Sequence, residues 1–168
     1  VAREQVDMAI VILPDDDLPL DIEAWPILRK EHVVIAPKTC KSRTWRAAIR
    51  SNPLIRYESK TIPGLKIDDF LARHEISAQE SIHMNYYETM VSFVARGMGV
   101  SIVPEADFGP AADQIKIFRL GEDTFYRDIG LLQRRGEKSP AFDAFRAALG
   151  AEAANEPHSL ILAPPPIG

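Results

Sequence analysis

Residues 89–108, TMVSFVARGMGVSIVPEADF, decide the fold. Met90, Val91, Phe93 and Val94 fall at helical spacing, and Gly97 follows where a helix turns left-handed and stops. Gly99-Val100-Ser101-Ile102-Val103-Pro104 then reads as a strand that proline ends. Upstream, Asn85 with Glu88 three residues on resembles a capping box that opens the helix at Tyr86. A helix that feeds a strand through a tight glycine corner is one repeat of an α/β sheet. Gly97-Met98-Gly99 is not a dinucleotide fingerprint: it lacks the third glycine and follows a helix, not a strand.

The flanking sequence continues the alternation. Asp7–Leu13 (DMAIVIL) carries no polar side chain after Asp7 and predicts a strand buried on both faces. His32–Ala36 (HVVIA) is a second, β-branched run stopped by Pro37. Ser42–Ile49 has helix character up to Asn52-Pro53, and Leu54–Tyr57 is a short strand. Pro63-Gly64 opens a helix with Leu65, Ile67, Phe70 and Leu71 on its apolar stripe. Gln79–Met84, Ile115–Leu120 and Asp128–Gln133 are further strands, and Pro140–Leu149 is an amphipathic helix closed by Gly150. Largely parallel pairing is expected from this order. Residues 151–168, rich in Ala and Pro, read as a disordered tail.

Composition narrows the function. The chain has 168 residues, a net charge of -4 and one cysteine. A single Cys40 excludes an internal disulfide framework and a Cys-based zinc site. Acidic balance argues against nucleic-acid binding by this chain itself, because phosphate contacts need a basic surface. No apolar run approaches the roughly 18 residues that span a bilayer, and no secretory leader is evident, so a cytoplasmic location is expected. His32, His74, His83 and His158 lack metal-ligand spacing, so neither a metal nor another cofactor is expected. Cys40 has no evident His partner and no Gly-x-Ser-x-Gly elbow is present, so no catalytic residue is assigned. Arg43, Arg46 and Arg50 share one helical face that reads as solvated, and Arg134-Arg135-Gly136 reads as a surface turn. Arg56, within a strand, suits either a ligand carboxylate or a neighbouring acid.

Several segments together resemble the effector-binding domain of LysR-type transcriptional regulators. The carriers are residues 89–108, VDMAIVILP (6–14), WPILRKEHVVIAP (25–37), PLIRYESKTIPG (53–64) and IGLLQRRGEKSPAFDAFRAAL (129–149). The resemblance covers residues 1–149, and its strength is the order and spacing of these runs. Glu4 stands where the family has glycine. The resemblance implies a two-lobed, type 2 periplasmic-binding-protein-like α/β fold with lobe one incomplete at its N-terminus. Lobe one would comprise residues 1–38 plus 128–150, and lobe two residues 39–127. The family's winged helix-turn-helix would lie before Val1, so DNA is expected as a partner only through that absent segment. A homo-oligomer, in which the helix Gly64–His74 contacts another subunit, is implied as well. No membrane partner is expected.

By the same resemblance, a small organic acid effector sits in the cleft between lobes. Ser59, Thr61, Ile62 and Pro63 are the principal expected contacts: hydroxyls and unpaired N–H groups before a helix suit a carboxylate. Capping of that helix by Thr61 is compatible with the same residues. Leu13 and Pro14 would line the opposite wall, with Asn85 and Val103 at the ends of neighbouring elements. For Asn85, pure helix capping is the competing reading. The expected function is effector sensing without catalysis. The rival is a solute-binding protein of a transporter, which an upstream signal peptide would distinguish from a helix-turn-helix.

Overall fold

The computed structural model describes residues 6–14, 17–136, 140–153, 155 and 159–161. The chain forms two compact units: residues 1–30 with 126–168, and residues 31–125. Strand β2 (Ile22–Pro37) runs on from the first unit into the second, and the chain returns at Phe125-Tyr126.

Unit 1 contains β1 (Met8–Ile12), the first half of β2, β7 (Tyr126–Arg134), α4 (Pro140–Ala153) and β8 (Ser159–Ile161). The strand order is β1-β7-β2, with β8 on β2. The pairing of β1 with β7 is antiparallel, Ile10 opposite Leu131, and so is that of β8 with β2. Ile27, Leu28, Leu131 and Phe142 form its core, with Trp25 edge-on to Phe142 at 6.0 Å. Arg146 of α4 lies 4.2 Å from the Trp25 ring centre and closes that face. Between β2 and β7, Arg29 donates two hydrogen bonds to Asp128, at 2.7 and 2.6 Å. This charge-assisted fork raises the Arg29 pKa above its ordinary value.

Unit 2 contains the second half of β2, α1 (Trp45–Ser51), β3 (Leu54–Tyr57), α2 (Ile62–Arg73), β4 (Glu80–Met84), α3 (Tyr87–Ala95), β5 (Val100–Pro104) and β6 (Ile115–Arg119). β5 and β6 flank β2, both antiparallel, and β3 continues from β5 to β4 in parallel. Each helix buries the residues its period dictates: Trp45, Ala48 and Ile49 on α1, Ile67, Phe70 and Leu71 on α2, Met90, Val91 and Val94 on α3. Trp45, Phe70 and Phe125 pack with tilted rings at 5.1 and 4.9 Å between centroids, joining α1, α2 and the returning chain.

Several expectations change. Pairing is mixed, not largely parallel: β3 runs parallel to β4 and β5, while β1 with β7 and β2 with β5, β6 and β8 are antiparallel. β1 is not buried on both faces: it is the end strand of its sheet and Ile10 is 50% exposed. HVVIA is the second half of a 16-residue strand whose first half alternates too weakly to announce itself. Leu65 leaves the expected α2 stripe and is exposed, because two residues turn a helix by about 200°. α4 runs through Gly150 to Ala153, since a glycine lowers helix propensity without forbidding the conformation. Of the tail, Ser159–Ile161 pairs with Leu28–Lys30, and residues 162–168 lie outside the described ones. His158 and part of the acidic run, Asp15-Asp16, also lie outside them. Arg43, Arg46 and Arg50 are exposed as expected, and Arg46 there also meets Asp123 at 2.8 Å and lies 4.1 Å from the Trp45 ring centre.

Candidate functional site

The loop between β3 and α2 gathers Ser59, Thr61, Ile62 and Pro63 at the carboxyl ends of the parallel strands β3 and β4. Its shape follows from a few residues. Thr61 is the N-cap of α2 with extended backbone, and its Oγ1 accepts from the Gly64 N–H at 3.2 Å. The same hydroxyl donates to the Glu58 carbonyl at 2.7 Å, and the Thr61 N–H reaches that oxygen at 3.0 Å. Pro63 falls in the first helical turn, where the missing N–H costs no hydrogen bond. Gly64 is there for want of a side chain: a Cβ would sit 2.0 Å from the Glu58 carbonyl oxygen. Only glycine lets α2 begin so close under the loop.

Behind the loop, Arg56 settles the alternative that its sequence leaves open. The residue is 2% exposed and ion-pairs with Asp68 of α2. Its guanidinium also donates to the carbonyls of Gly64 (3.3 Å) and Tyr57 (3.2 Å). A buried cation with a carboxylate and two carbonyls around it is a brace between β3 and α2.

These bonds leave a defined set of donors. Among the described residues no partner accepts from the N–H groups of Ser59, Lys60 or Ile62, and the Ser59 hydroxyl is equally unengaged. Ser59 is half-buried and Lys60 exposed. Thr61 is spent twice over inside the loop, so its hydroxyl shapes the turn rather than standing free for a ligand.

Asn85 stands beside this loop and does not cap α3. The N-cap is Tyr86, which makes no side-chain capping bond. Asn85 Oδ1 instead accepts from the Glu58 N–H at 3.3 Å, a donor that the end of the parallel ladder leaves within reach. Val103, expected at the site, is instead fully buried in the unit 2 core opposite Val33, main chain included, and presents no surface to a ligand. In unit 1, Leu13 follows β1, is 9% exposed, and donates its N–H to the Asp128 carbonyl at 2.9 Å. Leu13 and the half-buried Pro14 line a recess of about 720 Å³ with Leu18, Leu20 and Arg135. Unit 2 has its own recess of about 520 Å³ between α3 and the 3₁₀ turn Gly109–Gln114. The loop residues do not line it.

Sequence reasoning missed the Asn85–Glu58 bond, the carbonyl contacts of Arg56 and the double use of Thr61. The Thr61-x-Pro63-Gly64 spacing signals the cap, but nothing local signals a side chain from the residue that follows β4. No group of three His, Cys, Asp or Glu able to hold a metal occurs among the described residues, and no described helix is long and apolar enough to cross a membrane.

Two α/β units threaded by a shared strand, with a donor-bearing loop at strand ends, have the architecture of periplasmic-binding-protein-like ligand domains. The chain belongs to the LysR substrate-binding domain family, whose model matches residues 1–154. It is thus an effector-binding regulatory domain of the LysR type. Similar solved structures include the effector-binding domain of QuiR in complex with shikimate (23% identity, TM-score 0.71, 92% of this chain and 75% of that one). Another is the CcmR regulatory domain of Synechocystis PCC6803 in complex with 2-PG (22%, TM-score 0.75, 92% and 76%). A third is the regulatory domain of NMB2055 (MetR) from N. meningitidis (16%, TM-score 0.75, 96% and 77%). No curated protein matches the chain.

Proposed function

We propose that this domain senses a small organic anion at the Ser59–Pro63 loop and catalyses nothing. The observation that carries the reading is the set of unengaged donors there: three N–H groups and the Ser59 hydroxyl, with the exposed Lys60 ammonium beside them. Donors without acceptors, at a helix N-terminus, favour a carboxylate or a phosphate over a neutral or cationic solute. Similar domains that hold shikimate and 2-PG support the ligand class. Leu13, Pro14 and Asn85 belong to the proposal as further contacts, on the family resemblance. The domain would serve a cytoplasmic, homo-oligomeric regulator that meets DNA through a helix-turn-helix outside these residues. Effector binding acts by favouring one arrangement of the protein over another, through differential affinity.

A thermal-shift screen of small carboxylates and phosphates, shikimate included, followed by calorimetry on the hits, tests this. Ser59→Ala should weaken the best hit roughly ten-fold, the worth of one hydrogen bond to a charged group. The melting temperature of the free protein should stay put, because Ser59 bonds to nothing in the fold. A screen without hits, or equal affinity in the variant, rejects the loop as the effector site.

A further inference from the structure

The side chain of Asn85 extends the β3–β4 ladder by one rung beyond its last backbone pair. Tyr57 and Met84 are the final register partners, so Glu58 and Asn85 emerge side by side. The Glu58 N–H finds Asn85 Oδ1 at 3.3 Å. On its other side the Glu58 carbonyl receives both the N–H and the hydroxyl of Thr61. The Glu58 residue is thereby held at its N–H and at its oxygen, while Ser59 and Lys60 between these anchors make no bond of their own among the described residues. Asn85 performs no service for α3, whose N-cap is Tyr86.

We propose that Asn85 is a positioning residue, clamping the Glu58–Thr61 turn so that the donors of Ser59, Lys60 and Ile62 keep one geometry. The inference rests on the reading of this loop as the effector loop, and it changes the part Asn85 plays there. Its oxygen serves the protein, and only its Nδ2 group remains for an anion. Because the Glu58 N–H can be accepted only by an oxygen, the amide has one orientation. Aspartate would keep the clamp and put a negative charge where the amide now offers donors.

Amide exchange measured by NMR on the wild-type chain, Asn85→Ala and Asn85→Asp tests the clamp without any ligand. In Asn85→Ala the Glu58 amide should exchange about five-fold faster, the factor for one exposed hydrogen bond. Asn85→Asp should restore the wild-type rate. The Met90 amide, bonded to the Tyr86 carbonyl within α3, should be unchanged in both. An unaltered Glu58 rate in Asn85→Ala overturns the proposal. So does failure of Asp to restore it, or equal acceleration at Met90, which would make Asn85 a support of α3. The ligand screen on the wild-type protein judges the effector reading separately, so an intact clamp without any binding acid would condemn that reading alone.

Discussion

Thr61 concentrates the physics of the loop in one side chain. A hydroxyl has one hydrogen to give and lone pairs to receive, and both are in use, toward the Glu58 carbonyl and from the Gly64 N–H. Thr61→Ala therefore removes a helix cap and a loop staple together. The expected loss is about 1–2 kcal/mol. In a domain of this size that lowers the melting temperature by roughly 2–4 °C for each kcal/mol. Circular-dichroism melts check it. Thr61→Ser, which keeps the hydroxyl, should recover most of the loss. Ser59, one turn of chain away, should show the reverse pattern, with binding affected and melting not.

Among elements, the joint between β3 and α2 depends on Arg56. Apolar helix faces hold α2 on the sheet through Ile67, Phe70 and Leu71, but they do not fix where along the sheet the helix begins. That is set by the Gly64 contact with the Glu58 carbonyl and by Arg56, whose guanidinium meets Asp68, Gly64 and Tyr57. Arg56→Met should cost about 2–3 kcal/mol, because it strips donors from carbonyls that the packed joint keeps from water. Asp68, at 39% side-chain exposure, can be rehydrated, so Asp68→Asn should cost clearly less. Urea denaturation of the two variants checks the order. Equal losses would show that the ion pair, not the carbonyl contacts, dominates the brace.

On the scale of the whole molecule, the exposed apolar surface of unit 1 has the clearest consequence. β1 is a sheet-end strand with Ile10 half exposed, and Met8, Ala9, Leu131, Ala141 and Phe145 border a groove of about 500 Å³ beside it. An apolar end strand invites pairing with another chain. Ile10→Lys should reduce self-association of the 168-residue chain in sedimentation velocity, with an unchanged circular-dichroism spectrum. If the wild-type chain sediments as a monomer at every loading concentration, this surface does not drive association.

Much of this protein was legible from its residues. Apolar periods located α2 to α4, Gly97 ended α3 with its positive φ of 81°, and Asn52-Pro53 ended α1, because such signals act over a turn or two of chain. The order of these elements sufficed for the fold class, and the Ser59–Pro63 stretch for the place where donors gather. Pairing direction was not legible: whether a strand lies parallel to its neighbour depends on a partner that is dozens of residues away, as Val103 opposite Val33 illustrates. The same distance hid the duty of Asn85. Local sequence offers its oxygen a helix to cap, and only the parallel placement of β3 against β4 supplies the competing N–H of Glu58. Sequence alone determined where most of the helices and several of the strands lie, but not the first half of β2 or the strand β8. Tertiary structure decided which donors are consumed inside the fold and which remain free, because hydrogen-bond partners are chosen by proximity in space and not along the chain.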